Sequence, residues 1–345
     1  MKIYQNTPLL LSAGYGIIQA EKNKAREGPE RNETRKEKTM TITEAEMATR
    51  TFGCELEYEG ISQATAAQTV AEVTGGTTRY VGGAYGTWEV TMPDGRKWKV
   101  VSDGSLEGTS SETVTPVMTI ADLDTLQQVV RALRRNGARA NYRTGLHVHV
   151  GAADFTAENV KNLVKTFYKQ EELILKAAGT LPERIDRYTQ KTDHGFVDAI
   201  CAMRHPTMAK IGDAYYDGLD DRYEHYCDAR YRALNLHNLW WGSKHTVEYR
   251  FFNGTTHAGK VKTAVQLALL IALRAKSAKA SSARNPRPYN EASAKYDLRV
   301  FLLRLGANGN LFKTMRHHLC KNLPGSAAWK DGRHDGRNAR TEANG

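Results

Sequence analysis

Phe52-Gly53-Cys54-Glu55-Leu56-Glu57-Tyr58 places two carboxylates at i and i+2 within an otherwise apolar run. In an extended chain successive side chains point to opposite faces, so Glu55 and Glu57 share one face and Cys54, Leu56 and Tyr58 the other. Two distant stretches repeat the pattern: Gly145-Leu146-His147-Val148-His149-Val150 and Val247-Glu248-Tyr249-Arg250-Phe251. If the three strands share a sheet, carboxylates, imidazoles and one guanidinium converge on a single face. A face of that chemistry suits a metal ion and phosphate.

Working outward, the spacing predicts a helix over 62–73 and strands over Thr77–Val81, Thr87–Met92 and Lys97–Ser102. Pro93-Asp94-Gly95 supplies the turn between the last two. An extended piece over Glu112–Met118 precedes a helix with Thr119 as N-cap and Gly137 as C-cap. A helix over 157–178 follows the His-bearing strand. Residues 180–228 show weak periodicity and read as irregular or short helical structure. Strands over Tyr231–Asn238 and Thr246–Asn253 come next, then helices over 259–279, 294–304 and 309–320. Strands with helices inserted and appended predict an α+β fold, a mainly antiparallel sheet with helices packed on one face.

The chain has 345 residues, 40% of them hydrophobic and 25% charged, which is ordinary for a globular protein with a full core. Residues 21–39 are nearly all polar or charged, so 1–48 is expected to lie outside the fold, with Met40 as an alternative start. The catalytic domain is expected over 49–325, with a loose polar tail over 326–345. Cys54, Cys201, Cys227 and Cys320 form no CxxC pair, which argues against a thiolate zinc site and suits a cytoplasmic setting. The longest apolar run, Ala264–Ala275, is too short to span a bilayer.

The formal charge is +11. Residues 257–299 hold 9 Lys/Arg against 2 Asp/Glu, so much of the excess lies away from the charged strands. A basic helical face is more often solvated than a nucleic-acid footprint, and nucleic acid is not the expected partner.

Each charged pair also suits a strand with one wetted face. Two carboxylates on one face need water or a cation. His147 and His149 suit two metal contacts, or one metal and one phosphate contact. Glu248 with Arg250 reads equally as a surface ion pair, although Arg is suited to gripping a carboxylate or phosphate. Asp103, in a Ser-Asp-Gly-Ser loop, is either a turn former or a site residue, and Glu112 would add a further carboxylate. Glu55, Glu57, Glu112 and Glu248 with one or two His form an oxygen-rich set, suited to Mg²⁺ or Mn²⁺ acting on phosphates.

The ordered motifs FGCELEYE, WKVVSDGSL with SSETVTP, GLHVHVG, and RYRALNLHN leading to TVEYRFFNGT resemble the amidoligase family over about residues 49–325. The resemblance implies a fold like that of glutamine synthetase. It also implies an ATP-dependent ligase that joins a carboxylate substrate to an amine substrate through an acyl phosphate. In that reading Glu55, Glu57, Glu112, His147 and Glu248 hold two divalent ions, and His149 contacts the ATP phosphates. Arg250 holds the transferred phosphate or substrate carboxylate, and Asp103 attracts or deprotonates the amine. Arg232 and Asn235 fall on the substrate or nucleotide wall. Two rival readings are a metal-dependent hydrolase or oxygenase using His-x-His with a carboxylate, and a nucleic-acid module using residues 257–299. The motifs specify neither the acid, the amine nor the subunit number, and residues 181–228 match none of them.

Overall fold

The computed structural model describes residues 45–102, 110–219, 221–281 and 285–330. Residues 45–49 form a helical turn that buries Met47 ahead of the first strand. The strands are β1 (Phe52–Glu59), β2 (Thr77–Gly82), β3 (Thr87–Thr91), β4 (Lys97–Val101), β5 (Ser110–Val114), β6 (Gly145–Gly151), β7 (Leu234–Asn235) and β8 (Thr246–Asn253). They make one sheet in the order β2-β3-β4-β5-β1-β6-β8-β7, with every neighbouring pair antiparallel. The fold is α+β.

One face of the sheet is covered by α1 (Gln63–Thr74), α2 (Leu123–Arg135), α3 (Ala157–Ala178) and α7 (Ala258–Ser277). The alternation in the strands explains why. Cys54, Leu56, Tyr58, Leu146, Val148, Val150, Val247, Tyr249 and Phe251 are all buried in the core. Each large apolar side chain fully removed from water there contributes about 1.5–3 kcal/mol. The Phe167 ring of α3 packs against both Tyr249 and Phe251. Caps set the lengths of these helices. Ser62 accepts from the Thr65 amide at the start of α1, Thr156 and Asn159 form a capping box on α3, and Gly179 ends α3 with φ of +69°.

The remaining helices are α4 (Pro182–Arg187), α5 (His194–Ala202), α6 (Met208–Tyr215), α8 (Ala294–Arg304) and α9 (Lys313–Lys321). The expected strand over Tyr231–Asn238 shrinks to Leu234–Asn235, because the Asn235 side chain accepts from the His237 amide and turns the chain. The extended piece expected over Glu112–Met118 pairs only as Ser110–Val114. A 3-10 turn over Ile120–Asp122 precedes α2, with Asp122 capping Thr119. α7 is buried along most of its length, so the basic residues of 257–299 do not form one continuous exposed face along it. All four cysteines are free, and no described helix is long and apolar enough to cross a membrane.

Candidate active site

The sheet order brings the three charged segments side by side. β1 lies between β5 and β6, and β6 between β1 and β8. In register, Glu57 stands opposite Glu112, Glu55 opposite His147, His149 opposite Glu248, and Glu248 opposite Asn235. Between the Leu146–Phe252 and Val148–Tyr249 pairs β8 holds one extra residue. This bulge lets the consecutive Phe251 and Phe252 both stay in the core, while Arg250 shares the open face with Glu248 by plain alternation.

The cluster centres on His147. Its Nδ1 lies 3.2 Å from Glu55 Oε2 and 3.7 Å from Glu248 Oε1, and its Nε2 lies 3.5 Å from Glu57 Oε1. His149 Nε2 lies 3.2 Å from Glu55 Oε1 and 3.9 Å from Glu248 Oε1, an ion-pair distance from both carboxylates. Its Nδ1 contacts the Thr246 hydroxyl at 3.3 Å. Both oxygens of Glu248 are oriented, Oε1 by Arg250 Nη1 at 2.5 Å and Oε2 by Asn235 Nδ2 at 2.7 Å. The Gly145 amide donates to Glu57 Oε2 at 2.6 Å.

Burial opposes ionisation of Glu55 more than any other single influence, yet His149 and His147 together hold its carboxyl well below the ordinary range. Glu248 is also lowered: burial works against it, and Arg250, His149 and His147 outweigh burial. His149 is raised, because Glu55 and Glu248 overcome its burial. The cluster therefore favours charged carboxylates beside a readily protonated imidazole.

Glu55, His147 and Glu248 each offer one ligand atom, and the three atoms lie within 4.8 Å of one another. Ligands across a Mg²⁺ ion at about 2.1 Å each stand about 4 Å apart, so small side-chain adjustments suffice. The oxygen-rich donor set fits a hard divalent cation.

Two clefts meet at Glu55. The larger, about 450 Å³, exposes Glu55, Glu57, Glu112, His147 and Arg250. The smaller, about 360 Å³, exposes Glu55, His149, Gly53, Lys244 and Thr246. Asn235 lines neither, and instead orients Glu248. Arg232 also lines neither; its guanidinium lies over the rings of Tyr215 at 4.3 Å and Phe196 at 5.5 Å. Asp103 lies outside the described residues.

The sequence pattern missed Arg184, which sits on α4 where no motif marks it. The glycine at 145 makes room for protein groups. A Cβ there would stand 2.5 Å from Arg184 Nη2 and 2.8 Å from His147 Nε2. At Gly151 the space is taken by the Thr51 hydroxyl.

The fold and cluster define an α+β protein organised around a candidate metal centre on the open face of its sheet. Residues 48–272 match the family described as putative amidoligase enzyme, and the chain belongs to that family. Its name denotes ligase-type enzymes that form amide bonds. No curated protein matches the chain.

Proposed function

We propose that this protein is an ATP-dependent carboxylate–amine ligase that forms an amide through an acyl phosphate, with two Mg²⁺ or Mn²⁺ ions. One observation above all supports the reading: four carboxylates, two imidazoles and Arg250 meet on one sheet face between two clefts. Glu55, His147 and Glu248 would hold one ion, and Glu57 with Glu112 would contribute to a second. When bound, ATP would supply the phosphoryl group that makes a carboxylate oxygen a leaving group, and the ions would offset the charge that develops.

The remaining tasks fall to the chain. His149 faces the smaller cleft with Lys244 nearby, which suits that cleft to the phosphates. The larger cleft then takes the acid and the amine. Arg250, fixed by Glu248, lies ready to stabilise charge on the transferred group. Asp103 is the proposed proton acceptor for the amine. The likeness to the glutamine synthetase fold belongs to this proposal.

The test is incubation of the full chain with ATP, Mg²⁺, hydroxylamine and a panel of carboxylic acids. The expected result is an acid-dependent hydroxamate with matching ADP release. Neither product with any acid would reject the reading. Tightly held iron or zinc, with no nucleotide requirement, would favour the hydrolase or oxygenase alternative.

A further inference from the structure

A further cleft lies on the covered side of the sheet, where the end of α2, the start of α7 and one side of α9 meet. Its volume is about 500 Å³, and Arg131, Arg134, Arg135, His257 and His318 are among the residues that line it. That size is ordinary for a small-molecule site. None of its lining residues borders either cleft at Glu55.

The positive charge there is unanswered. Arg131, Arg134 and Arg135 are exposed, and among the described residues their side chains make no hydrogen bond or ion pair. Elsewhere Arg50, Arg79 and Arg96 each pair with an Asp or Glu. Arg131 stands three and four residues before the other two, so the three guanidiniums are neighbours on α2 and repel one another. Arg134 and Arg135 sit in the last turn and complement the helix dipole. The dipole accounts for neither Arg131 nor the imidazoles across the cleft. His257 caps α7: its Nδ1 accepts from the amides of Gly259 at 3.1 Å and Lys260 at 3.3 Å, which puts the ring proton on Nε2 as a donor. Gly259 gives both imidazoles room, since a Cβ there would stand 2.8 Å from His318 Nε2 and 3.0 Å from His257 Cε1. Burial lowers the pKa of His318, and the basic neighbours His257, His317, Lys260 and Lys321 push it the same way, with no acid among these influences.

Three forked guanidiniums and a donating imidazole around one concave space call for an anion rich in acceptor oxygens. Guanidinium forks bind phosphate oxygens through paired hydrogen bonds. From Arg131 to Arg135 the helix rises about 6 Å, more than a single phosphate group covers. We propose that this cleft binds an oligophosphate, either a free chain or the triphosphate of a nucleotide, through Arg131, Arg134, Arg135 and His257. Three elements border the cleft, and no continuous basic face leads away from it along the buried α7. A short anion fits that setting better than a nucleic-acid strand, which needs an extended basic track. The site stands apart from the ligase reading and does not depend on it.

The experiment is calorimetric titration of the full chain in EDTA with tripolyphosphate, ATP, orthophosphate, citrate and a short single-stranded DNA. Tripolyphosphate is expected to bind about tenfold or more tightly than orthophosphate or citrate, a difference typical of added charge-assisted contacts. Arg131→Gln with Arg135→Gln should weaken it by a similar factor. Arg204→Gln with Lys210→Gln removes the same charge at exposed positions outside the cleft and should leave binding unchanged. Gln keeps helix propensity, so both double variants should melt with the parent. Absence of tripolyphosphate binding, no loss in the arginine variant, or an equal loss in both variants overturns the proposal. So does citrate binding as tightly as tripolyphosphate, or DNA binding more tightly through the same arginines, which would assign the cleft to nucleic acid. If the arginine variant loses tripolyphosphate and ATP alike, the phosphate chain is sufficient; tighter ATP binding through these arginines identifies a nucleotide, and both results support the site. With metal and substrates absent, failure here leaves the ligase assay standing, and a failed ligase assay leaves this result standing.

Discussion

Nη1 of Arg250 donates to Oε1 of Glu248 at 2.5 Å, with both residues buried on one strand. The same oxygen lies 3.7 Å from His147 Nδ1, so the guanidinium fixes a carboxylate that also faces the imidazole cluster. Breaking a buried pair by removing one partner leaves an uncompensated charge and costs about 3–5 kcal/mol. Arg250→Ala should therefore lower the unfolding free energy from urea titration by that order. Arg250→Ala with Glu248→Gln should recover part of the loss. A double variant no more stable than Arg250→Ala would show that the pair is not coupled.

Glu57→Gln keeps an acceptor for the Gly145 amide and removes the negative charge. Hydroxamate formation should fall by about 10²-fold or more, beyond the effect of merely reorienting a metal ligand. Its melting temperature should stay close to that of the parent. Full activity in the variant would take Glu57 out of the site.

The cluster gives the metal-free protein a pH signature. Glu55 and Glu248 titrate below their ordinary range, so the stability they contribute is present above about pH 4.3 and is lost as pH falls through their lowered folded values. His149 titrates above its ordinary value. Its contribution is complete below about pH 6.5 and disappears as pH rises through its raised folded value. In EDTA, urea unfolding should show stability declining on the alkaline side, and His149→Asn should flatten that decline. An identical alkaline slope in the variant would assign the effect elsewhere.

A methyl group on residue 145 would collide with Arg184 Nη2 and His147 Nε2. Gly145→Ala should cost about 1–3 kcal/mol, the range for overpacking a filled interior. It should also weaken Mg²⁺ binding, read as a smaller metal-induced rise in melting temperature, because the displaced ring is His147. Parent-like metal binding would mean that the ring has room to move.

Much of the fold lay in local pattern. The period-2 alternation of Glu55-Leu56-Glu57 and His147-Val148-His149 fixes which side chains can share a face, and period-3.6 stretches such as Leu123–Leu133 mark the covering helices. Periodicity extends the strand over Tyr231–Asn238 beyond its paired residues, because an Asn235 side chain that bonds backbone is invisible to it.

By itself, then, the sequence determined the alternating faces, the α+β class and the chemistry of the charged residues, since each depends on neighbours within a few positions. Only the tertiary structure decided that β5, β1, β6 and β8 lie side by side, that a bulge brings both Phe251 and Phe252 into the core, and that Arg184 reaches the cluster. Strand order and register come from pairing residues far apart in the chain, and no local period encodes them. Arg184 is the clearest case. Its place beside His147 follows from a short helix packing near the sheet and from the missing side chain at Gly145, two facts that meet only in three dimensions.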